Sequence, residues 1–465
     1  MQHPTNQKRQ KSVWHRRRLA LALWRRGNLT DKTAAMLLGT FIGIFSGIGA
    51  WFLKFSIGGL SRLFLSMTNP DGVNWFLFAL PFVGIMLAVV YQRYWVGYSL
   101  EHGVSQVSRD IAAHNYRLRT GLCYQPLIAN VITVGLGGSA GAEGPIATVG
   151  AAIGSVLARL TGMSPARIRV MIGCGAGAGI AAIFKAPIGG ALFTLEVLKM
   201  KLDTLSVLVL FVATLFGALT TYALTGFTFN LAMPPLGPFD MRLLGWVAAL
   251  GVFLGFYSIY YNKVTNVFLR MYNGMTNHWV RNILSATIVG LSVLMFPAMY
   301  GEGYIAVTKL LNGNFNTFLE AGLFAHLSGE FSMMILLCLA LIATKAFATV
   351  SSNSGGGVGG EFAPTLFAGA FAGLLFAWAI NLWFDAHLPV VAFVFLGMAG
   401  GFSGIINAPL MGMFLVTELT GSGFVYILPL AITSFVSFGV CKLFTVFDRD
   451  RGENKSISPH THAQL

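Results

Sequence analysis

Charge is scarce in this sequence. Asp, Glu, Lys and Arg make up only 10% of its 465 residues, against 55% hydrophobic residues. A water-soluble domain carries about 25% charge, so the composition excludes a soluble globular protein and points to a chain whose solvent is largely lipid. Cysteine is scarce too. Cys123, Cys174, Cys338 and Cys441 stand far apart, in or beside apolar segments. That spacing excludes a disulfide framework and any zinc-type pattern, and leaves small buried hydrophobes as the reading. Nothing else in the pattern asks for a metal or cofactor. A secretory signal is excluded as well, because the basic start of the chain is too long and no small-residue cleavage site follows it.

What is there is apolar length. Thr33–Phe55, Trp75–Trp95, Leu205–Tyr222, Leu243–Tyr261, Met333–Thr349 and Val425–Phe447 each reach spanning length, at the roughly 17–25 residues a membrane helix needs. Mean hydropathy is +0.69. The 55 glycines predict helices that are broken or closely packed, as membrane bundles allow. The fold class expected is an all-α polytopic membrane protein in contact with the lipid bilayer. The net charge of +14 is mostly local: residues 1–32 hold nine Lys/Arg and one acid, while the remainder holds 22 basic and 16 acidic residues. A basic segment before a first membrane helix reads as cytoplasmic and suits anionic lipid, Arg16–Arg18 included. No nucleic-acid partner is expected, since no folded reader module accompanies those charges.

The chain also repeats itself. Ala-Pro-Ile-Gly-Gly-Ala-Leu-Phe-Thr-Leu-Glu runs from Ala186 to Glu196, and Ala-Pro-Leu-Met-Gly-Met-Phe-Leu-Val-Thr-Glu from Ala408 to Glu418, 222 residues on. Upstream of each lies a Gly-rich loop ending in Pro: Gly137–Pro145 in the first half and Gly355–Pro364 in the second, with their glutamates, Glu143 and Glu361, 218 apart. Two halves follow, about 33–225 and 245–447, joined by the proline-bearing stretch 226–241. Lys263–Arg281 reads as an amphipathic run at an interface or facing water. Repeats at half length in a membrane protein usually build one site between them near the midplane. Proline suits a first helical turn, so each loop delivers a helix N-terminus into the membrane. Such an N-terminus exposes unpaired N–H groups and about half a positive charge. Converging N-termini make an anion site without a fixed cation, and glycine lets the ion approach the backbone. A Lys or Arg there would hold the ion too tightly for passage.

These residues resemble the CLC family of chloride channels and chloride/proton exchangers. Gly-Ala-Glu-Gly-Pro (Gly141–Pro145) is similar to that family's G-R-E-G-P, Gly-Glu-Phe-Ala-Pro (Gly360–Pro364) to its G-x-F-x-P, and the Ala-Pro elements to its paired later helices. The resemblance covers roughly residues 33–447. It implies two inverted-topology repeats of tilted, often incomplete helices with an anion pathway between them. It further implies a homodimer with one pathway per subunit, residence as a multi-pass protein of a prokaryotic cell membrane, and cytoplasmic termini: the basic segment 1–32 and a short tail, 448–465. The cargo implied is chloride or a similar small anion, with protons as a second cargo in the exchangers. The regulatory domains of some relatives have no counterpart after Phe447.

By the same resemblance Glu143 is the gating and proton-accepting glutamate, which competes with the anion for its site. An acid at mid-membrane costs about 2.5–3.5 kcal/mol; the structural alternative is a carboxylate stabilising the following helical turn. The backbone of Gly360, Glu361 and Phe362 is implied to donate to the anion, Phe362 by its N–H rather than its ring; Glu361 itself is either an interfacial acid or a modifier of the pathway. Glu196 and Glu418 read as hydrogen-bonded structural carboxylates. Three positions depart from the family. The serine motif is poorly kept in Glu-His-Gly-Val-Ser (Glu101–Ser105), which puts His102, or by a one-step shift Ser105, at the anion; an interfacial or capping histidine is the equal alternative. Val197 stands where exchangers carry an internal proton-handling glutamate. Phe447 stands nearest to the anion-coordinating tyrosine and lacks its hydroxyl. Channel and exchanger therefore both stay open, as do fluoride or nitrate in place of chloride.

An enzyme is the rival of a different class. Gly-Phe-Ser-Gly (Gly401–Gly404) fits the nucleophile pattern of intramembrane serine proteases, but the later His residues are His460 and His462 in the polar tail, and the serine needs a base beside it. The four residues read better as a tight helix break before the second Ala-Pro motif. A carrier of another solute is the remaining rival; it would call for carbonyl and carboxylate cation sites rather than Gly-rich N-termini.

Overall fold

The computed structural model describes residues 23, 25, 27–67, 73–100, 104–113, 116–228, 230–231, 233–320, 322–327, 330–421 and 424–456. Its helices in the first half are α1 (Asp31–Leu65), α2 (Phe76–Tyr91), α3 (Val104–Ala112), α4 (Gln125–Gly135), α5 (Glu143–Leu160), α6 (Pro165–Phe184), α7 (Pro187–Leu192) and α8 (Thr204–Thr225). The second half holds α9 (Leu244–Asn273), α10 (His278–Met295), α11 (Tyr304–Leu311), α12 (Phe331–Ser354), α13 (Phe362–Phe384), α14 (Val390–Ile406), α15 (Pro409–Thr420) and α16 (Ile427–Ser456). Among the described residues no strand forms, and nine helical segments are long and apolar enough to cross a membrane.

The duplication seen in the sequence is a duplication of packing. In the first half α1 packs on α6 and α8, α5 on α6, α6 on α8, and α2 on α4. In the second half the counterparts do the same: α9 on α14 and α16, α13 on α14, α14 on α16, and α10 on α12. The two short helices α7 and α15 pack on each other across the halves.

Helix α1 shows how residue type sorts these surfaces. Thr30 caps it, its hydroxyl accepting from the Thr33 N–H at 3.2 Å. One face, Ala35, Gly39, Gly43, Gly47 and Ala50, is buried, and the glycines press on Val209, Ala213 and Thr220 of α8. The other face exposes Phe41, Phe45, Phe52 and Phe55. With lipid as apolar as leucine, close backbone approach rather than hydrophobicity holds such helices together. The α5–α6 and α13–α14 crossings take this further. A β-carbon on Gly150 would overlap the Gly175 carbonyl, and one on Gly369 the Gly397 carbonyl.

The expectation of a helix break at Gly401–Gly404 is corrected. These residues lie inside α14, and Ser403, fully buried, donates to the Ala399 carbonyl one turn back at 2.6 Å. The break falls later, at Asn407 with φ 60°, matched in the first half by Lys185 with φ 57°. Lys185 and Asn407 each precede an Ala-Pro step, so the two breaks are repeats of one another. Lys185 Nζ also donates to the carbonyls of Gly226 (3.2 Å) and Thr228 (2.7 Å), which ties the end of α6 to the end of α8.

The Lys263–Arg281 run divides. Its first part continues α9 to Asn273, and its end opens α10 at His278, where the Asn277 side chain caps the N–H groups of Trp279 and Val280.

Candidate functional site

The two Gly-rich loops meet. Gly141 N–H donates to the Gly360 carbonyl at 2.9 Å, and Gly360 N–H returns the bond to the Gly141 carbonyl at 2.7 Å. This antiparallel bridge stands alone in the described structure. Gly137 and Gly356 both hold positive φ, 95° and 92°, so the loops share one backbone shape. Helix α4 staples them. Asn130 Nδ2 donates to the carbonyls of Gly141 (3.2 Å) and Val358 (2.7 Å), while Thr133 Oγ1 accepts from the Val358 N–H at 3.1 Å.

The bridge sets the register between the repeats. Gly141 faces Gly360, so Pro145 matches Pro364 and Glu143 matches Phe362. Glu361 is the counterpart of Ala142. The two loop glutamates are neighbours in the site without being equivalent.

Helices α5 and α13 start from this bridge. Neither first turn is capped by a side chain, and in each the third residue is proline, Pro145 and Pro364. Proline removes one of the orphan donors of the turn, which leaves the N–H groups of Glu143 and Gly144 in one helix and of Phe362 and Ala363 in the other. Glycine at 360 is required by space: a β-carbon there would lie 2.6 Å from Gly144 N and 3.1 Å from Glu143 Oε2. At Gly141 it would overlap the Glu143 carboxylate outright.

Glu143 is 1% exposed. Its Oε1 accepts from the Tyr304 hydroxyl at 3.1 Å, and its Oε2 has no hydrogen-bond partner. No cation pairs with it among the described residues. Lys54, the nearest in this network, lies 4.6 Å over the Tyr304 ring and is paired with Glu302 at 2.7 Å. Tyr304 opens α11, so this helix, whose role the sequence did not suggest, delivers the donor that holds the carboxylate.

Phe362 is buried, its ring edge-on to Phe193 at 5.8 Å and Phe402 at 5.1 Å. The ring is packing, and what it leaves for an anion is its N–H. A cavity of about 320 Å³ opens beside this turn, lined by Gly144, Val197, Gly360, Glu361 and Phe362. Val197 is the last residue of a π-helical turn, Phe193–Val197, that continues α7. A further ionisable side chain lies behind the loop: Lys345, fully buried, donates to Ser139 Oγ at 2.8 Å and sits 4.5 Å over the Phe367 ring. A lone lysine in an apolar run was the available signal for it; nothing in the sequence pattern marked Tyr304.

The other repeated glutamates are fully engaged. Glu418 accepts from Ile188 N–H (3.1 Å) and Gly189 N–H (2.8 Å), and Glu196 from Leu410 N–H (3.1 Å) and Met411 N–H (2.7 Å). Each caps the first turn of the other repeat's Ala-Pro helix. His102 lies outside the described residues. Phe447 belongs to the backbone of α16, with its side chain outside them, as is that of Ser105.

Comparison with known proteins agrees with this geometry. Residues 83–442 match the family described as "Voltage gated chloride channel". The chain is 27% identical over 393 residues to a putative chloride channel protein ClcB-like of Ralstonia nicotianae, covering 82% of this chain and 86% of that one. It is 27% identical over 429 residues to the H(+)/Cl(-) exchange transporter ClcA of Cronobacter sakazakii, covering 87% and 86%. Among solved structures, the fold is shared with a slow cyanobacterial Cl-/H+ antiporter (TM-score 0.73, 19% identity, 91% of this chain and 99% of that one). It is shared also with a CLC-type fluoride/proton antiporter (TM-score 0.71, 22% identity, 89% and 96%). The chain is a multi-pass membrane protein and belongs to the voltage gated chloride channel family, the CLC family.

Proposed function

We propose that this protein carries chloride across the membrane through a pathway between its two repeats, about 33–225 and 245–447, with Glu143 as its gate. The observation that carries this reading is the unpaired Glu143 carboxylate lodged against the bridge of Gly141 and Gly360, where two uncapped helix N-termini converge. Partial positive charge from the first turns of α5 and α13 favours an anion, and the carboxylate occupies that place when no ion does. An anion entering the site displaces it. A carboxylate without a cation partner leaves such a site most readily with a proton, which supports coupling of chloride to protons, as in the exchangers it resembles.

The Phe362 N–H serves the anion, with Glu361 on the cavity wall beside it; Gly360, expected to donate as well, instead spends its N–H on the Gly141 carbonyl and contributes by letting the two loops approach. His102 and Phe447 are proposed to border the same path. Val197, lining the cavity where exchangers keep an acid, carries no proton, so the inner part of a proton route would run through water or another side chain. The protein works as a homodimer in the cell membrane of a prokaryote, with both termini in the cytoplasm. Its role is transport, not covalent catalysis: the one serine that fits a protease pattern, Ser403, is spent on its own helix.

The test is flux from liposomes loaded with chloride, with the reversal potential measured under a pH gradient. Wild-type protein is expected to pass chloride with pH-dependent rate, and Glu143→Gln to lose that dependence. A reversal potential that moves with the proton gradient establishes exchange; one that ignores it establishes a channel. Glu143→Gln with wild-type flux at every pH would refute the gating role.

A further inference from the structure

The cavity beside the α13 first turn has a polar wall that the reading above leaves unused. Asn353, Ser354 and Thr265 line it together with Gly144 and Phe362. Asn353 stands in the last turn of α12 and is 3% exposed, yet neither its Nδ2 nor its Oδ1 has a hydrogen-bond partner among the described residues. Ser354 Oγ and Thr265 Oγ1, in the same wall, are also without partners. A β-carbon on Gly359 would lie 3.1 Å from Asn353 Oδ1, so the amide rests against the loop that leads into α13.

Other buried side chains also leave one polar atom without a partner, Thr349 and Ser352 of α12 among them, but among the described residues Asn353 alone leaves two. Asn130 donates to two carbonyls. On α12 itself, Ser351 shares a hydrogen bond of 2.8 Å with the Tyr272 hydroxyl. A buried polar group left unsatisfied destabilises the fold, and the Asn353 amide leaves two such atoms. Such an amide in a cavity wall is satisfied when it turns toward what fills the cavity. The α13 N-terminus opens into the same space and favours negative charge, and the amide NH₂ adds a neutral donor. Two weak kinds of donor hold an ion without trapping it, as a transit site requires. Turning the amide end for end exchanges its oxygen and nitrogen without removing the donor from the wall.

We infer that Asn353 is a side-chain ligand for the transported anion, its NH₂ donating to the ion at the α13 first turn while Ser354 and Thr265 hold the ion's remaining water. This rests on the anion-transport reading and adds to it a specificity-determining residue.

Two readouts test it: chloride binding to the detergent-solubilised protein by calorimetry, and chloride-against-nitrate flux in liposomes. Asn353→Leu, which keeps bulk and removes the amide, is expected to weaken chloride binding about tenfold or more, as for one hydrogen bond to a charged partner, and to shift the chloride-to-nitrate ratio. Asn353→Ser, which restores a donor, is expected to recover part of both. If Asn353→Leu does not fold, Asn353→Asp decides instead, since a carboxylate there should abolish chloride binding at neutral pH. Wild-type protein that binds and passes chloride while these variants match it within about twofold, a difference smaller than one such hydrogen bond, overturns the role of Asn353 and leaves anion transport standing. Wild-type protein that neither binds nor passes chloride overturns both.

Discussion

Four helices of this protein begin at a proline step deep in the fold, and they fall into two pairs. In the α7–α15 pair, each first turn is closed by a glutamate of the opposite repeat, with two N–H groups on each carboxylate. In the α5–α13 pair, no side chain caps either first turn. Glu143, the first residue of α5, holds one hydroxyl bond and leaves one carboxylate oxygen without a partner. The same physics, an N-terminal partial charge attracting an anion, is present in both. Where the protein supplies the anion from its own chain on both sides, the region is a fastener. Where its own carboxylate is held loosely, the place is open to exchange with an ion. Buried carboxylates in a membrane protein are therefore sorted by how completely they are satisfied, not by burial alone.

The largest effect expected is on the fastener. Glu418→Ala removes two hydrogen bonds to a charged acceptor, each contributing about 1.5–3 kcal/mol, and orphans the N–H groups of Ile188 and Gly189. Thermal unfolding should come markedly earlier, and the Glu196→Ala and Glu418→Ala pair together should be lower still, while chloride binding by the protein that stays folded is unchanged. Loss of chloride affinity without loss of stability would break the comparison, because it would make α7–α15 a binding region. A smaller effect is expected at the open pair. Tyr304→Phe takes away the hydrogen bond on Glu143 Oε1 and loosens the carboxylate that competes with the anion. Apparent chloride affinity should rise about fivefold, for about 1 kcal/mol, with thermal stability close to wild type. A fall in affinity would show that Tyr304 serves the anion rather than the gate.

Much of this was legible in the sequence, for local reasons. Gly-rich loops ending in Pro announce helix starts, and a glutamate inside such a loop at membrane depth stands out chemically, so Glu143 and the Gly360–Phe362 turn could be named. The spanning helices the hydropathy pattern passed over, α6 and α10, have a different cause. Helix α6 is rich in glycine and alanine and mostly buried in protein, so it has no need of large lipid-facing side chains, while α10 opens on His278–Asn282, with three polar residues in five. The equivalence of Glu143 with Phe362 instead of Glu361 was hidden because one residue type attracts an alignment that the Gly–Gly bridge and the prolines do not support. The cross-capping of Glu196 and Glu418 and the Tyr304 hydroxyl on Glu143 depend on neighbours far along the chain, 161 residues for Tyr304 and over 200 for the glutamate caps; no spacing rule reaches that far.

The contrast between the open and the closed helix pairs is tested most directly by bromide, a chloride substitute that diffraction can locate. Crystals of Glu143→Gln grown in bromide should show anomalous density between the first turns of α5 and α13, beside Gly144 and Phe362, and none at Ile188–Gly189 or Leu410–Met411. Bromide at the α7–α15 turns, or none at the α5–α13 turns, would contradict the account.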